Sequence, residues 1–201
     1  MPKRIRQDED LYIAPSILGI YREEQYLAID ERNNNQELNP EDIDNKIIIY
    51  ERQVEEWFLN RAKMLLDCDH NNFVVLMICM SYLEGVEQYI QGKSSNGNSN
   101  AMFIDSLSRI YPTQFTKKNL KKLYHQSRSS LFHNGMVGRD VIIDNRFAEP
   151  IKFDTQDIKI NPRKLLFDIQ NDFKSYILKL KNVTNADLRE LFNQMFSVIP
   201  H

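Results

Sequence analysis

The chain is expected to be all-α: an antiparallel bundle of four to five core helices with a small β-hairpin insertion near residues 140–154. Three observations predict this. Apolar residues recur at three-to-four spacing over several long stretches, the period of a helix with one buried face. Short polar connections separate those stretches, which suits antiparallel neighbours. The one strand signal lies around Val141–Phe153. At 201 residues, one main domain over 41–201 is expected, preceded by a helical or irregular extension over 1–40.

Taken in order, residues 16–28 read as a first helix with Ile17, Ile20, Tyr21 and Leu27 on its buried side. Asn33 to Pro40 is a polar loop. Glu41 and Asp42 then supply the acids that suit the positive end of a helix. Ile43, Ile47, Tyr50, Val54, Trp57, Phe58 and Leu65 carry that amphipathic helix to Leu66, with Trp57 and Phe58 as core or dimer contacts. Asn72 caps a second helix from Phe73 to Ile90, apolar nearly all round and therefore buried. Gly92 to Asn100 is a surface loop without the glycine and lysine spacing of a phosphate loop. A short helix from Ala101 to Ile110 stops before Pro112, and another runs from Thr116 or Lys117 to His133, stopped by Asn134-Gly135. Val141-Ile-Ile-Asp and Ile151-Lys-Phe-Asp flank a turn and read as the arms of the hairpin. Asn161-Pro162 caps and opens a helix to Lys181, and Thr184 or Asn185 caps a last one through Phe196.

Composition narrows the function classes. Hydrophobic residues make up 42% and charged residues 27%, so wholesale disorder is excluded. The longest apolar run, Phe73 to Met80, falls short of the roughly 20 residues a bilayer span needs, and no membrane association is expected. The N-terminus lacks the apolar stretch of a signal peptide. With Cys68 and Cys79 alone, neither a disulfide framework nor a cysteine-based zinc site can form. A reduced, cytoplasmic protein with no metal and no cofactor is the expectation. The net charge of −2 argues against a general nucleic-acid coat. Its distribution is uneven, however: residues 1–60 carry −7 and residues 101–140 carry +5. The basic stretch is either a solvated helix face or a local anion site.

That basic stretch contains the chemistry. At about 100° per residue, Leu120, Leu123, Tyr124, Ser127 and Leu131 share the face that packs inward. Lys118, Lys121, Lys122, His125, Arg128, Ser129 and His133 occupy the other half. Arg128 and His133 diverge on a rigid helix, but a left-handed residue at Gly135 lets the last turn unwind so that they converge. Arginine holds phosphate oxygens bidentately and balances transition-state charge, and histidine moves protons near neutral pH. These are the parts of metal-independent phosphodiester cleavage. Lys118, Lys121 and Lys122 are candidate phosphate or RNA contacts. His125 and Ser129 are candidate supporting groups, and Glu84 on the second helix either orients Arg128 by an ion pair or has a structural role at the surface.

The pattern Leu123-Tyr-x-x-x-Arg128-x-x-Leu131-x-His133-x-Gly135, late in a helical domain, resembles the arginine–histidine signature of the HEPN superfamily (higher eukaryotes and prokaryotes nucleotide-binding domains). The resemblance covers residues 42–181: two long helices, a polar loop with a small helix, the motif helix and a further long helix. It implies a four- to five-helix bundle that dimerises. Many members are metal-independent endoribonucleases of toxin–antitoxin, CRISPR-associated or abortive-infection systems, with arginine and histidine from two protomers lining a shared cleft. By position those residues are Arg128 and His133. Two departures stand out. Ser129 occupies a place where active members often carry Asn, and no Tyr follows His133, which argues against the nucleotidyltransferase-paired subtype.

Asp67-Cys68-Asp69-His70 reads as a helix end, not a metal site, and Cys79 as a core thiol. No nucleophile elbow or dinucleotide fingerprint occurs. Two functions remain in view. The first is an endoribonuclease acting in growth arrest or antiviral defence, a homodimer with RNA as substrate and an antitoxin as protein partner. The second is a catalytically silent module that binds a nucleotide or a protein. A duller account has the basic face exchanging salt bridges with the acidic N-terminal region.

Overall fold

The stretch expected as the first helix is a β-meander. In this computed structural model, which describes residues 3–200, strands β1 (Leu11–Ala14), β2 (Ile17–Arg22), β3 (Gln25–Asp30) and β4 (Gln36–Leu38) form one antiparallel sheet in sequence order. Burial along them follows a period of two: Ile17 and Gly19 point inward on β2, Ala28 and Asp30 on β3. The same apolar residues also satisfy a helical wheel, which is why the two readings compete. The turns decide it. Ser16 (φ 56°), Glu23 (φ 50°), Glu24 (φ 63°), Asn34 (φ 51°) and Asn35 (φ 55°) all adopt the left-handed conformation that tight hairpins need. Glu23-Glu24 joins the paired residues Arg22 and Gln25 without the Asn-Gly signature that would announce the turn.

The all-α expectation is therefore overturned. The protein is mixed α/β, 52% helical and 14% strand, with two sheets and six continuous helices among the described residues, two of them divided by a π-helical turn. Helix α1 (Ile43–Val54) continues through a π-helical turn at Glu55–Leu59 into α2 (Asn60–Leu65). There follow α3 (Asn72–Gln91), α4 (Ser99–Ile110), and α5 (Lys117–Leu123), which passes through a second π-helical turn at Tyr124–Ser129 into α6 (Ser130–Asn134). Helices α7 (Pro162–Lys181) and α8 (Ala186–Met195) complete the set. Asp42 caps α1, accepting from the Asp44 and Asn45 amides, and Asn161 caps α7 by accepting from the Lys164 amide at 3.0 Å.

Chain contacts divide the molecule into two compact units. The first comprises Met1–Asn60, Tyr89–Lys93 and Ser175–His201. Here the meander and α1 enclose Ile13, Ile17, Ile47 and Ile49, and Tyr50 packs among Tyr89, Phe192 and Phe196 with ring centres 4.7–5.4 Å apart. Gly19 is needed for close packing, since a Cβ there would lie 2.8 Å from Ile13 Cγ2 and from Ile5 Cγ1. Buried Asp30 accepts two hydrogen bonds from Arg52, at 2.5 and 2.8 Å. The Ile5 amide donates to the Val198 carbonyl at 2.7 Å, so the two ends of the chain meet in this unit.

The second unit comprises Arg61–Gln88 and Ser94–Lys174. Its core is Leu76, Cys79 and Leu83 of α3 against Phe103 and Leu107 of α4, Leu120 and Leu123 of α5, and Ile169 and Phe173 of α7. By length and composition α3 could cross a membrane, but its buried side includes Glu84 and Glu87, both ion-paired within this unit. The hairpin expectation is also corrected. β5 (Val141–Ile143) and β6 (Ile151–Phe153) do not pair with each other. Both pair with β7 (Ile158–Ile160), β5 in parallel and β6 antiparallel, in the order β5-β7-β6. Ile158 and Ile160 are fully buried on β7, so that strand has the stronger claim on the centre of the sheet. The segment expected as a hairpin turn is held by Asn161, whose Nδ2 donates to the Asn145 and Phe147 carbonyls at 2.8 Å.

Trp57 and Phe58, expected as core or dimer contacts, are 36% and 45% exposed. That exposure corrects the core alternative. Both lie inside the π-helical turn Glu55–Leu59, where each residue advances by less than about 100°, so a wheel drawn at constant angle misplaces them.

Candidate functional site

The motif helix runs unbroken from Lys117 to Asn134, but it is not regular. Thr116 caps it, its Oγ1 accepting from the Asn119 amide at 3.2 Å. The π-helical turn Tyr124–Ser129 has a local cause in the serines. Ser127 Oγ donates to the Leu123 carbonyl at 2.5 Å, and Ser130 Oγ donates to the His125 carbonyl at 2.8 Å. Short hydroxyl side chains compete for helix carbonyls and loosen the ladder where they cluster. The helix stops at Gly135, whose φ of 69° and ψ of 6° give the left-handed cap expected from the sequence. Its amide donates to the Leu131 carbonyl at 3.1 Å.

Arg128 is on the π-helical turn, and the structure joins it to Glu84. Arg128 Nη2 lies 2.5 Å from Glu84 Oε2, with the side chains only 21% and 12% exposed. The Arg128 guanidinium carbon is also 5.7 Å from the Tyr124 ring centre and 5.0 Å from that of Phe132. Tyr124, Arg128 and Phe132 thus form a ladder at four-residue spacing, with the cation against two rings. Arg128 Nε is buried without a hydrogen-bond partner, so this guanidinium is held by one carboxylate and by aromatic contact.

The other candidates are less tightly gathered. His133 is exposed at the helix end, and no hydrogen bond joins it to Arg128 among the described residues. His125 is exposed, with its ring edge-on to Tyr124 at 5.4 Å, and Ser129 is half-buried. Lys122 is tied down: its Nζ donates to the Gln156 carbonyl at 2.6 Å and lies 3.5 Å from Asp140 Oδ2. Lys118 and Lys121 are exposed, and no ion pair engages them among the described residues. One chain therefore unites Arg128 with Glu84, sets His133 in solvent nearby in sequence, and commits Lys122 to its own scaffold.

A second polar cluster has no counterpart among the residues singled out from the sequence. Arg109 pairs with Glu87 at 3.1 Å and with Asp172, which also accepts from Tyr82 Oη at 3.1 Å. Burial opposes the Arg109 charge, but Asp172 and Glu87 outweigh it and hold the guanidinium above its ordinary value. Tyr111 Oη donates to Asp168 at 2.7 Å, and burial, reinforced by that carboxylate, pushes the phenol well up. The available signal was Glu84 and Glu87, two acids one turn apart on an otherwise apolar helix. Each is buried and each holds one arginine. Phe132 was also missed, because a lone exposed aromatic has no pattern in sequence.

Cys79 is buried, and burial pushes its thiol up, as suits a core residue. Cys68 is exposed. Among the described residues no group of three or more His, Cys, Asp or Glu side chains gathers as a metal site. No family model, no curated protein and no solved structure matches this chain.

Proposed function

We propose that the protein is a metal-independent endoribonuclease whose reacting groups are Arg128 and His133, acting as a homodimer with the motif helices of two chains facing each other. The reading rests above all on the Glu84–Arg128 ion pair, 2.5 Å long and largely buried on the helix that ends in exposed His133. A carboxylate fixes the guanidinium, as positioning of a phosphate-binding arginine requires. The αL cap at Gly135 leaves the imidazole accessible.

In this mechanism Arg128 binds the non-bridging oxygens of the scissile phosphate. One His133 takes the proton from the ribose 2′-OH, and the 2′-oxygen attacks phosphorus. The bond from phosphorus to the 5′-oxygen breaks, and the departing oxygen takes a proton from the second chain's imidazole. The products are a 2′,3′-cyclic phosphate and a 5′-hydroxyl. Lys118 and Lys121 supply non-specific attraction to the strand.

The test is incubation of purified protein with end-labelled RNA in EDTA, alongside Arg128→Ala and His133→Ala. Cleavage by wild type alone, ending in a cyclic phosphate, is the expected result. Equal cleavage by all three proteins would sink the assignment. One observation favours a second reading, a silent binding module: Glu84 already neutralises Arg128 in the isolated chain. RNA binding without turnover is the outcome which that reading expects.

A further inference from the structure

Phe132 is an exposed aromatic residue immediately before His133 and one turn after Arg128. It is 46% exposed, and its ring centre is 5.0 Å from the Arg128 guanidinium carbon. The cation therefore covers part of the ring while nearly half the residue stays open to solvent. Exposed single aromatics are common and need no explanation by themselves. This one differs in its two neighbours, which are the phosphate-binding and proton-transferring groups of the proposed site.

We propose that Phe132 is a nucleobase subsite, a stacking platform for the base adjacent to the phosphate held by Arg128. The inference rests on the endoribonuclease reading for the phosphate but not for the base. Single-stranded RNA presents unstacked bases, and proteins take them on aromatic rings and guanidinium planes. Here the guanidinium already lies over the ring, and the part of the ring it does not cover is open to a base. Arg128 is in turn fixed by Glu84, so the ring borders a rigid cation. The ligand class is a single strand, because a base paired within a duplex has no face to offer. Every base has a π-face, so the preference is for strandedness over sequence.

The experiment uses a short 2′-O-methyl oligonucleotide, which binds but cannot be cleaved, with one 2-aminopurine whose fluorescence falls on stacking. Wild type is expected to quench the probe. Phe132→Ala is expected to lose the quenching and to bind about tenfold more weakly, and Phe132→Trp to retain both. An abasic substitution at the probed position should weaken wild type by the same factor and leave Phe132→Ala unaffected. Phe132→Leu keeps the apolar bulk and should behave like Phe132→Ala. Unchanged quenching in Phe132→Ala and Phe132→Leu overturns the proposal, as does an abasic penalty equal in wild type and variant. A shift of Phe132→Ala from dimer to monomer, with base dependence intact, assigns the ring to a protein contact and also overturns it. Quenching at Phe132 in a wild-type protein that cleaves no RNA refutes the endoribonuclease and leaves the subsite standing. Cleavage that does not depend on Phe132 does the reverse.

Discussion

Removing Glu84 should destabilise the second unit, and the size of the effect can be worked from geometry. The guanidinium and carboxylate centres of a pair with a 2.5 Å N–O contact are separated by about 4 Å, worth about 4 kcal/mol at an effective dielectric near 20. Truncating one partner of a fully buried pair costs about 3–5 kcal/mol, because the other charge is stranded. Here the side chains are 21% and 12% exposed, so water reaches part of the stranded guanidinium. A loss of about 2–3 kcal/mol for Glu84→Ala is expected. At about 2–4 °C per kcal/mol for a chain of this length, the melting temperature should fall by roughly 4–12 °C. Glu84→Gln retains an acceptor for the guanidinium and should lose about half as much. The assay is denaturant unfolding of Glu84→Ala, Arg128→Ala and the double variant. A coupling near 2 kcal/mol is expected between residues in such direct contact. Coupling below about 0.5 kcal/mol would refute the reasoning and remove the main support for a positioned arginine.

Other named contacts carry their own expectations. Arg109→Met removes the cation that faces Glu87 and Asp172, which are 5% and 12% exposed, and should cost about 3–5 kcal/mol in chemical unfolding. Gly135→Ala meets no steric neighbour, so its cost is the left-handed backbone alone, about 1–2 kcal/mol. If His133 reacts, the same change should lower RNA cleavage by more than the stability loss explains, since it disturbs the turn that presents the imidazole. Asp144 is held down at about 2 by hydrogen bonds from the Arg146 side chain and amide. A depressed carboxyl keeps its interaction from neutral pH downward and loses it only as pH falls through that value. Carbon-13 titration should therefore report about 2 in wild type, with a return toward the ordinary carboxyl value of 3.8 in Arg146→Ala.

The helices after residue 40 were legible because they are long, amphipathic and punctuated: Asp42, Thr116 and Asn161 cap, and Gly135 stops. The meander was not. Its strands are short, its apolar residues fit a helical wheel equally well, and its turns use Glu23-Glu24 and Asn34-Asn35 in place of glycine. β7 was missed although it is as long as β5 and β6, and the sheet order β5-β7-β6 depends on long-range pairing that no local pattern encodes. Of the candidate residues, Arg128 and His133 could be picked out by type and spacing, and Glu84 as an ion-pair partner from its place on the second helix. The π-helical turn could not, since two serine hydroxyls, Ser127 and Ser130, act on its backbone carbonyls together.

The hydrogen bond from Ile5 to Val198 has a consequence for how the protein is made. Residues 61–174 contain the whole of the second unit, including the motif helix, and emerge from the ribosome as one block. The meander precedes that block, while Phe192, Phe196 and Val198 of its own unit are made only after it. For that interval α1 covers the sheet, but Tyr50 on that helix lacks its ring partners Phe192 and Phe196. Trimming either terminus should therefore harm yield and solubility well before it touches the arginine or the imidazole.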